Sequence, residues 1–191
     1  MRNIKYIKLS AVVLLMFFAQ TIQAKPWAVS TNILTWANLG TINAEALYSI
    51  HKNITLAAGF TYNGWEMYSP TQVQMINKQY GGYLGLRYWP WHTYSGTWIG
   101  LKGQYKNFEQ VGIFRPNYVQ GEGVGAGLSA GYSFMITPKL NIDVGLGIWG
   151  GRMLEYNKYK DKFPYKSQLI ESGPKNFITL DNIIISIVYI F

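Results

Sequence analysis

The chain has 191 residues, of which 49% are hydrophobic, 16% aromatic and only 14% charged, with 20 glycines and no cysteine. Because an average chain carries about 25% charged residues, this composition excludes a disordered protein and a helix bundle with a charged surface. The missing cysteines exclude a disulfide scaffold, a thiolate metal site and a cysteine nucleophile. The mean hydropathy of 0.00 is too low for stacked transmembrane helices, and the length suits one domain.

Residues 1–24 have the three parts of a secretory signal peptide. Three basic residues precede an apolar run of 11 residues from Leu9 to Ala19, and cleavage is expected after Ala24. The alternative, a membrane-spanning anchor, needs about 20 apolar residues. Cleavage leaves residues 25–191 as one domain and lowers the formal net charge from +8 to +5. An exported chain with this charge is not expected to bind nucleic acid.

Alternation with a period of two residues recurs along the rest of the chain and predicts β-strands of about ten residues. The facing of the first strand cannot be assigned from the pattern, but each later strand has one apolar face and one small or polar face. The eight predicted strands lie at 27–36, 41–50, 54–63, 80–89, 97–107, 121–136, 141–151 and 182–191. An even number of strands favours a closed, antiparallel, up-and-down barrel.

The predicted connections alternate in length. After a tight first loop at 37–39, short links at 51–53, 90–96 and 137–140 separate long ones at 66–78, 108–120 and 157–176. Short periplasmic turns and long outer loops are typical of outer-membrane barrels. The pattern therefore orients every strand, with both chain ends on the periplasmic side.

Charge on the strands decides between a soluble barrel and a membrane barrel, because a soluble barrel exposes its charged face to water. The only charged residues in the predicted strand centres are Glu45, Arg87, Lys102 and Asp143, too few to cover a soluble exterior. Aromatic residues cluster near strand ends, as in the girdles of membrane barrels; ordinary core aromatics are the alternative. They are Trp27, Trp36, Tyr48, Tyr62, Trp65, Tyr88, Trp89, Trp98, Trp149, Tyr156, Tyr189 and Phe191. The sequence thus predicts a closed eight-stranded transmembrane barrel.

The last strand ends on Phe191, with Tyr189 two residues earlier on the same apolar face. This end resembles the terminal signal that the barrel-assembly machinery reads. The chain as a whole resembles the small eight-stranded outer-membrane barrels, the class of the outer membrane protein A transmembrane domain. More narrowly, it resembles an uncharacterised domain-of-unknown-function family of outer-membrane barrels from Bacteroidota, which implies no established activity. The resemblance rests on Ser30 to Leu34, Asn38 to Gly40, Arg87 to Trp89, Gly121 to Tyr132, Tyr156 to Tyr159, and Gly173-Pro174.

The strand phases turn Glu45, Arg87, Lys102 and Asp143 into the barrel. Because side chains fill the interior of an eight-stranded barrel, we expect these groups to pair and plug the lumen. The alternative is a path for protons, ions or small solutes. Inward glycines at 123, 125, 127, 145 and 147 leave room that Trp98, Tyr83 or Trp149 is expected to fill. A ligand cavity is the alternative there.

An enzyme that modifies lipid A, with Ser, His and an acid at the outer rim, is the competing functional class. His51 and His92 both fall in predicted periplasmic turns, far from such a substrate, and the sequence offers no metal cluster or cofactor motif. We therefore expect a monomer without catalysis or cofactor, in the outer membrane of a Gram-negative bacterium. Its role is structural, supporting envelope integrity, or lies in surface interactions. Candidate contacts to lipopolysaccharide phosphates, with a mobile solvated loop as the alternative, are Arg152, Lys158, Lys160, Lys162 and Lys166.

Overall fold

The computed structural model describes residues 27–67, 75–112, 115–160 and 168–191. These residues form one short helix and nine strands. In chain order they are β1 (Trp27–Asn32), α1 (Ile33–Ala37), β2 (Ile42–His51), β3 (Ile54–Met67), β4 (Met75–Tyr88), β5 (Gly96–Gly112), β6 (Arg115–Thr137), β7 (Leu140–Tyr159), β8 (Leu169–Ser172) and β9 (Lys175–Ile190). No helix among the described residues has the length and apolar character needed to span a membrane.

Eight of the strands close into a barrel. Strands β1 to β7 pair in chain order, and β9 pairs with both β7 and β1, always antiparallel. Closure leaves the barrel without a free edge, and the four-residue β8 is added to β7 at the rim. The fold is therefore all-β, and the predicted closed eight-stranded barrel is confirmed.

The strands are staggered strongly around the barrel. Followed from strand to strand through the ladder, Ala28 on β1 leads to Thr179 on β9, although Ala28 itself pairs with Ile190 of that same strand. This displacement of eleven residues is the stagger that barrel closure requires. With eight strands the interior is only wide enough for side chains, so the inward residues decide where the barrel is filled and where it is hollow.

The two faces of the wall alternate as the period of two predicts. On β2, for example, Ala44 and Ala46 are exposed on the outside while Glu45 and Leu47 are buried inside. The phases predicted for the later strands hold in the same way. On β1, whose facing the sequence left open, Ala28 faces inward.

The first strand is shorter than predicted, because it ends at Asn32 instead of Trp36. The side chain of Asn32 accepts a hydrogen bond of 3.0 Å from the backbone N–H of Leu34. This is the bond by which an N-cap residue starts a helix. The turn after α1 places Leu39 and Gly40 at φ values of 53° and 71°, and the chain then enters β2.

Where the structure describes them, the long predicted loops are largely strand. The β3–β4 ladder continues to the pair Met67 and Met75, and the β5–β6 ladder continues to Gly112 and Arg115. Shifts of register near Gly112 and Gly123 break the period of two in this region while the backbone pairing goes on. The barrel wall is therefore taller at the end opposite the chain termini than the sequence predicts.

Candidate functional site

The half of the barrel near the chain termini is sealed by large side chains, and we call it the sealed half. Trp89 and Trp98 are fully buried there, and their ring centroids lie 6.3 Å apart. Tyr94 packs edge-on against Trp89 at 5.9 Å. The remaining members of this core are Ala28, Leu47, Ala57, Ile184, Val188 and Ile190. Together these residues fill the interior across its width.

The link between β4 and β5 folds over this end of the barrel and holds the seal in place. The backbone N–H of Thr93 donates to the carbonyl oxygen of Lys52 at 2.9 Å. The amide nitrogen of Asn53 donates to the carbonyl oxygen of Trp89 at 2.6 Å, and that of Asn141 donates to the carbonyl oxygen of Tyr94 at 2.5 Å. Burial raises the pKa of the Tyr94 hydroxyl well above its ordinary value, so this group stays neutral.

Three tryptophans assigned to the girdles in the sequence lie inside the barrel instead. Trp89, Trp98 and Trp149 are at most 5% exposed. The phase of β5 already turns Trp98 inward, so grouping the aromatics by their distance from strand ends was wrong for these residues. The core interpretation, which the sequence left open, applies to them.

Next to the seal lies an ion triad formed by Glu45, Arg87 and Asp143. The guanidinium of Arg87 donates from Nη2 to Glu45 Oε2 at 2.5 Å and from Nη1 to Asp143 Oδ2 at 3.0 Å. All three residues are buried. Arg87 also stacks over the ring of Trp98, 4.4 Å from its centroid. A planar guanidinium with a fork of donors suits such a double contact.

Glu45 is further held by two hydroxyl groups. Ser30 donates to Glu45 Oε2 at 2.9 Å, and the phenol of Tyr83 donates to Glu45 Oε1 at 2.8 Å. The carboxylate thus has hydrogen bonds from three side chains on two strands, β1 and β4. Pairing and hydrogen bonds of this kind offset the cost of burying the charge of Glu45.

Lys102, the fourth candidate, does not join the triad but pairs with Asp181. The distance from Lys102 Nζ to Asp181 Oδ2 is 2.5 Å. Gln104 donates to the other carboxylate oxygen of Asp181 at 3.1 Å, and Lys102 Nζ lies 4.5 Å from the centroid of the Tyr83 ring. The aliphatic stem of Lys102 lies over Gly127, where an added Cβ would be 3.0 Å from its Cε atom.

Sequence reasoning missed Asp181 because the strand phase changes there. The ladder partners shift from Gly147 with Asn182 to Ile148 with Leu180, which leaves Asp181 as an extra residue in β9. Such a β-bulge turns the residue away from the face that strict alternation predicts. A carboxylate among outward apolar residues of a barrel strand is the signal that could have revealed the bulge.

Of the five inward glycines expected to leave room for rings, only Gly123 lies beside one, whereas Gly127 lies under the stem of Lys102. Two other glycines, Gly131 and Gly59, make room for rings instead. An added Cβ at Gly131 would lie 2.6 Å from Trp98, and one at Gly123 would lie 3.4 Å from Trp149. The ring of Tyr83 on β4 lies over Gly59 on the neighbouring strand β3, in the space that a Cβ at Gly59 would occupy.

Beyond the two ion groups the interior is hollow, and we call this part the hollow half. A small cavity of about 70 Å³ borders both the triad and the Lys102–Asp181 pair. Two larger cavities, of about 370 and 610 Å³, follow toward the end opposite the termini. They share the lining residues Asn38, Gln79, Lys106, Leu180 and Asp181, so they are two parts of one space.

The three candidate phosphate contacts that the structure describes do not form one surface. Arg152 is exposed on the outer wall of β7, Lys158 lines the larger cavity, and Lys160 is exposed in the bend after β7. Lys162 and Lys166 lie outside the described residues. The structure therefore turns Lys158 into the barrel, away from Arg152.

The remaining candidates lie at the terminus end. Tyr189 and Phe191 are both exposed on the outer wall, with ring centroids 5.2 Å apart, and the backbone N–H of Phe191 donates to the carbonyl oxygen of Trp27 at 3.0 Å. His51 and His92 are exposed next to the short turns of this end. No group of three or more potential metal ligands converges among the described residues.

A family model described as "Protein of unknown function (DUF3575)" matches residues 10–191. Comparisons with curated proteins and with solved structures gave no match. The match spans most of the chain, so the expected membership of a family of unknown function is confirmed. The family transfers no activity to the chain.

Proposed function

The chain belongs to the DUF3575 family of proteins of unknown function, and we propose that it is an integral β-barrel of the outer membrane of a Gram-negative bacterium. Its proposed role is structural, in envelope integrity, or in surface interactions, and it includes no catalysis. The partners in this proposal are outer-membrane lipid, lipopolysaccharide and, during assembly, the barrel-assembly machinery. A closed barrel needs no second subunit to satisfy its edges, which supports a monomer.

The outer wall gives the main support for this proposal, because its middle is an uninterrupted aliphatic band. Leu84, Leu101 and Leu146 are each more than half exposed there. Monomeric soluble proteins rarely expose contiguous apolar patches above a few hundred Å², whereas a membrane barrel presents such a band to lipid. Among the described residues, the charged side chains at this height lie inside the barrel, paired with one another.

Exposed aromatic rings border the band at both ends. At the terminus end they are Trp27, Tyr88, Trp91, Tyr132, Phe134, Tyr189 and Phe191, and at the other end they are Trp36, Phe60, Tyr62 and Tyr80. Aromatic rings of this kind prefer the interface between lipid and water. Beyond the aromatic residues at the end opposite the termini, the wall carries outward charges such as the Lys78–Glu66 pair. Charged side chains are expected where the wall lies in water and not in lipid.

The arrangement of the ends supports an orientation with both termini in the periplasm. Short links lie beside the termini and tall hairpins lie opposite, as in outer-membrane barrels. The proposed signal peptide, residues 1–24, lies outside the described residues. Tyr189 and Phe191 are placed at the proposed periplasmic girdle, where we assign them to the assembly signal.

The filled lumen argues against a channel, and the positions of the histidines argue against a lipid A-modifying enzyme. A solute channel needs a continuous water path, but Trp89, Trp98 and Tyr94 fill the lumen. A lipid A-modifying enzyme needs its histidine near the outer rim, but His51 and His92 lie at the opposite end. We therefore keep surface interaction as the proposed role, and the exposed cations Arg152 and Lys160 are the proposed contacts for lipopolysaccharide phosphates.

Membrane extraction and gel mobility test the proposal together. We expect the protein to remain in the envelope pellet after alkaline carbonate and to dissolve only in detergent. We also expect faster gel migration before heating than after, because a closed barrel stays compact until it unfolds. If carbonate releases the folded protein from the envelope pellet, the membrane assignment is contradicted. If the purified protein conducts ions in planar bilayers, the structural role is contradicted and a channel is supported.

A further inference from the structure

The ladder that closes the barrel is lower on one side than elsewhere. Strand β1 ends at Asn32, opposite Ser186 of β9, and β2 begins only at Ile42. The neighbouring strands β3 and β9 continue beyond this level, and β9 extends back to Lys175. Among the described strands, none pairs with this side of β9 between residues 175 and 185. We call this opening in the wall, between β9 and α1, the gap.

The side chain of Asn32 marks the lower end of the gap, because it takes the place of a ladder partner there. Its Nδ2 atom donates to the carbonyl oxygen of Ile183 at 2.9 Å, and its Oδ1 atom accepts from the backbone N–H of Ile185 at 3.4 Å. No described strand continues the ladder farther from the termini. Because backbone groups without partners are too costly in hydrocarbon, we expect water or a polar group of a ligand to reach this edge.

The gap opens into the hollow half. Leu34 and Thr35 of α1 on one border, and Leu180 to Ile183 of β9 on the other, line the part of about 370 Å³. Gln79 lines the same space from the far wall. The exposed ring of Trp36 lies on α1 beside the gap, among the aromatic residues of the outer end. In the proposed orientation the gap therefore faces the outer leaflet.

Beside the gap, β9 is apolar on both faces. Ile178 and Leu180 are exposed on the outer wall, by 79% and 56%. On the inner face Phe177 packs edge to face against Trp149, with ring centroids 4.3 Å apart. Because the two faces of a strand meet at its edge, an alkyl chain can pass around this edge of β9 without losing apolar contacts.

The larger part of the hollow half, of about 610 Å³, continues the apolar surface. Small-molecule sites in proteins measure about 300–1,000 Å³, and burial of alkyl groups on such a surface is favourable in proportion to the area removed from water. The apolar residues that line this part are Phe108, Val119, Trp149, Met153, Phe177 and Leu180.

We propose that the hollow half binds a single-chain amphiphile that enters from the membrane through the gap. The alkyl chain lies along Phe177, Val119 and Phe108, and the polar group stays at the mouth, near Thr35 and the exposed Asn38. This inference rests on the proposed membrane location, because the ligand comes from the outer leaflet.

Photocrosslinking of the mature chain folded into lipid vesicles tests the inference. The probe is dodecanoic acid with a diazirine at the end of its chain, and mass spectrometry identifies the modified residues. We expect adducts on Phe177 and on the other apolar residues that line the larger part. Dodecanol, which has the same chain without the charge, should reduce these adducts by about tenfold when it is added in about tenfold excess, by mass action. Adducts on the outer band, for example on Leu101, report contact with bulk lipid and should persist.

A variant at the mouth tests the route of entry. Thr35→Trp places a large ring at the border of the gap and should reduce the adducts in the hollow half by about tenfold. Val144→Trp adds the same ring at an exposed position on the outer wall of the sealed half and should leave them unchanged. The mobility shift on heating shows whether each variant has folded, and the competition by dodecanol tests the site in the unaltered chain.

Three results would overturn the inference and leave the membrane proposal intact. They are adducts on the outer band without any in the hollow half, adducts in the hollow half that excess dodecanol does not reduce, and equal adducts in Thr35→Trp and the unaltered chain. Absence of adducts on the outer band as well would overturn both proposals, because a barrel outside lipid cannot take its ligand from the membrane.

Discussion

The sealed and hollow halves of the barrel share one wall and one stagger, yet their inward residues differ in size and polarity. In the sealed half, Trp89, Trp98 and Leu47 are fully buried and close the lumen. In the hollow half, inward amides, lysines and glycines line cavities of several hundred Å³. The comparison teaches that an eight-stranded barrel is neither a pore nor a plug by its strand number alone. Side-chain volume along the inner face sets the boundary between the two.

The ion pairs of the two halves also differ, because water reaches one group more readily than the other. The triad of Glu45, Arg87 and Asp143 lies against the seal and is buried, so loss of one partner leaves charge in a dry environment. The Lys102–Asp181 pair borders the cavities, where water can solvate a charge that loses its partner. We therefore expect equal substitutions to have unequal effects in the two places.

The largest effect is expected from Arg87→Ala, which leaves two buried carboxylates without their cation. It should lower the free energy of unfolding by about 3–5 kcal/mol, measured by urea denaturation in detergent or lipid. The double variant with Asp143→Ala should be less destabilised than the sum of the single variants, because the two residues share one interaction.

The control for this substitution is Lys175→Ala, which removes a cation from the more exposed pair with Glu171 at the rim. Exposed pairs contribute about 1 kcal/mol or less. Additive effects in the Arg87 and Asp143 cycle, or an equal effect of Lys175→Ala, would remove the energetic distinction between the dry interior and the rim.

A charge placed within the aliphatic band of the outer wall sharpens the comparison from the other side, because the ion pairs at this height lie inside the barrel. Leu84 is exposed in the aliphatic band, and Leu84→Lys should destabilise the barrel in a bilayer by about 2–4 kcal/mol. Leu169 is similarly exposed but lies on β8 at the rim, so Leu169→Lys should have little effect. Equal unfolding midpoints for the two variants in lipid vesicles would contradict the membrane-facing band.

The smallest of the three effects is expected from Asp181→Ala in the hollow half. It removes the partner of Lys102 and an acceptor for Gln104, which should lower the free energy of unfolding by about 1.5–3 kcal/mol. The same denaturation experiment provides the measurement. A loss as large as that of Arg87→Ala would mean that the hollow half is as dry as the sealed half.

Strict alternation is why so much of the barrel could be predicted from the sequence. A barrel wall separates two environments, so the parity of a residue within a strand decides its side. Parity placed Glu45, Arg87, Lys102 and Asp143 inside without any knowledge of contacts, and the structure places them there. The same reasoning predicted the number of strands and the closure of the barrel.

Parity could not predict which inward residues meet. Arg87 contacts Glu45 and Asp143 from other strands, and the vertical alignment of strands depends on a stagger that alternation does not encode. The bulge at Asp181 reverses parity locally, so the partner of Lys102 was missed. The short helix α1 was missed because Asn32 ends β1 and caps the next turn inside a segment that was assigned to the first strand although its facing could not be determined.

The central claim is a lipid-embedded barrel, sealed at the terminus end and hollow at the other, and cysteine labelling along β3 tests it most directly. The chain has no native cysteine, so Leu56→Cys, Ala57→Cys and Thr61→Cys each introduce a single thiol. Leu56 lies on the outer band, Ala57 in the seal and Thr61 in the hollow interior. In lipid vesicles a water-soluble maleimide should label only Thr61→Cys rapidly. Rapid labelling of Leu56→Cys or of Ala57→Cys would contradict the account.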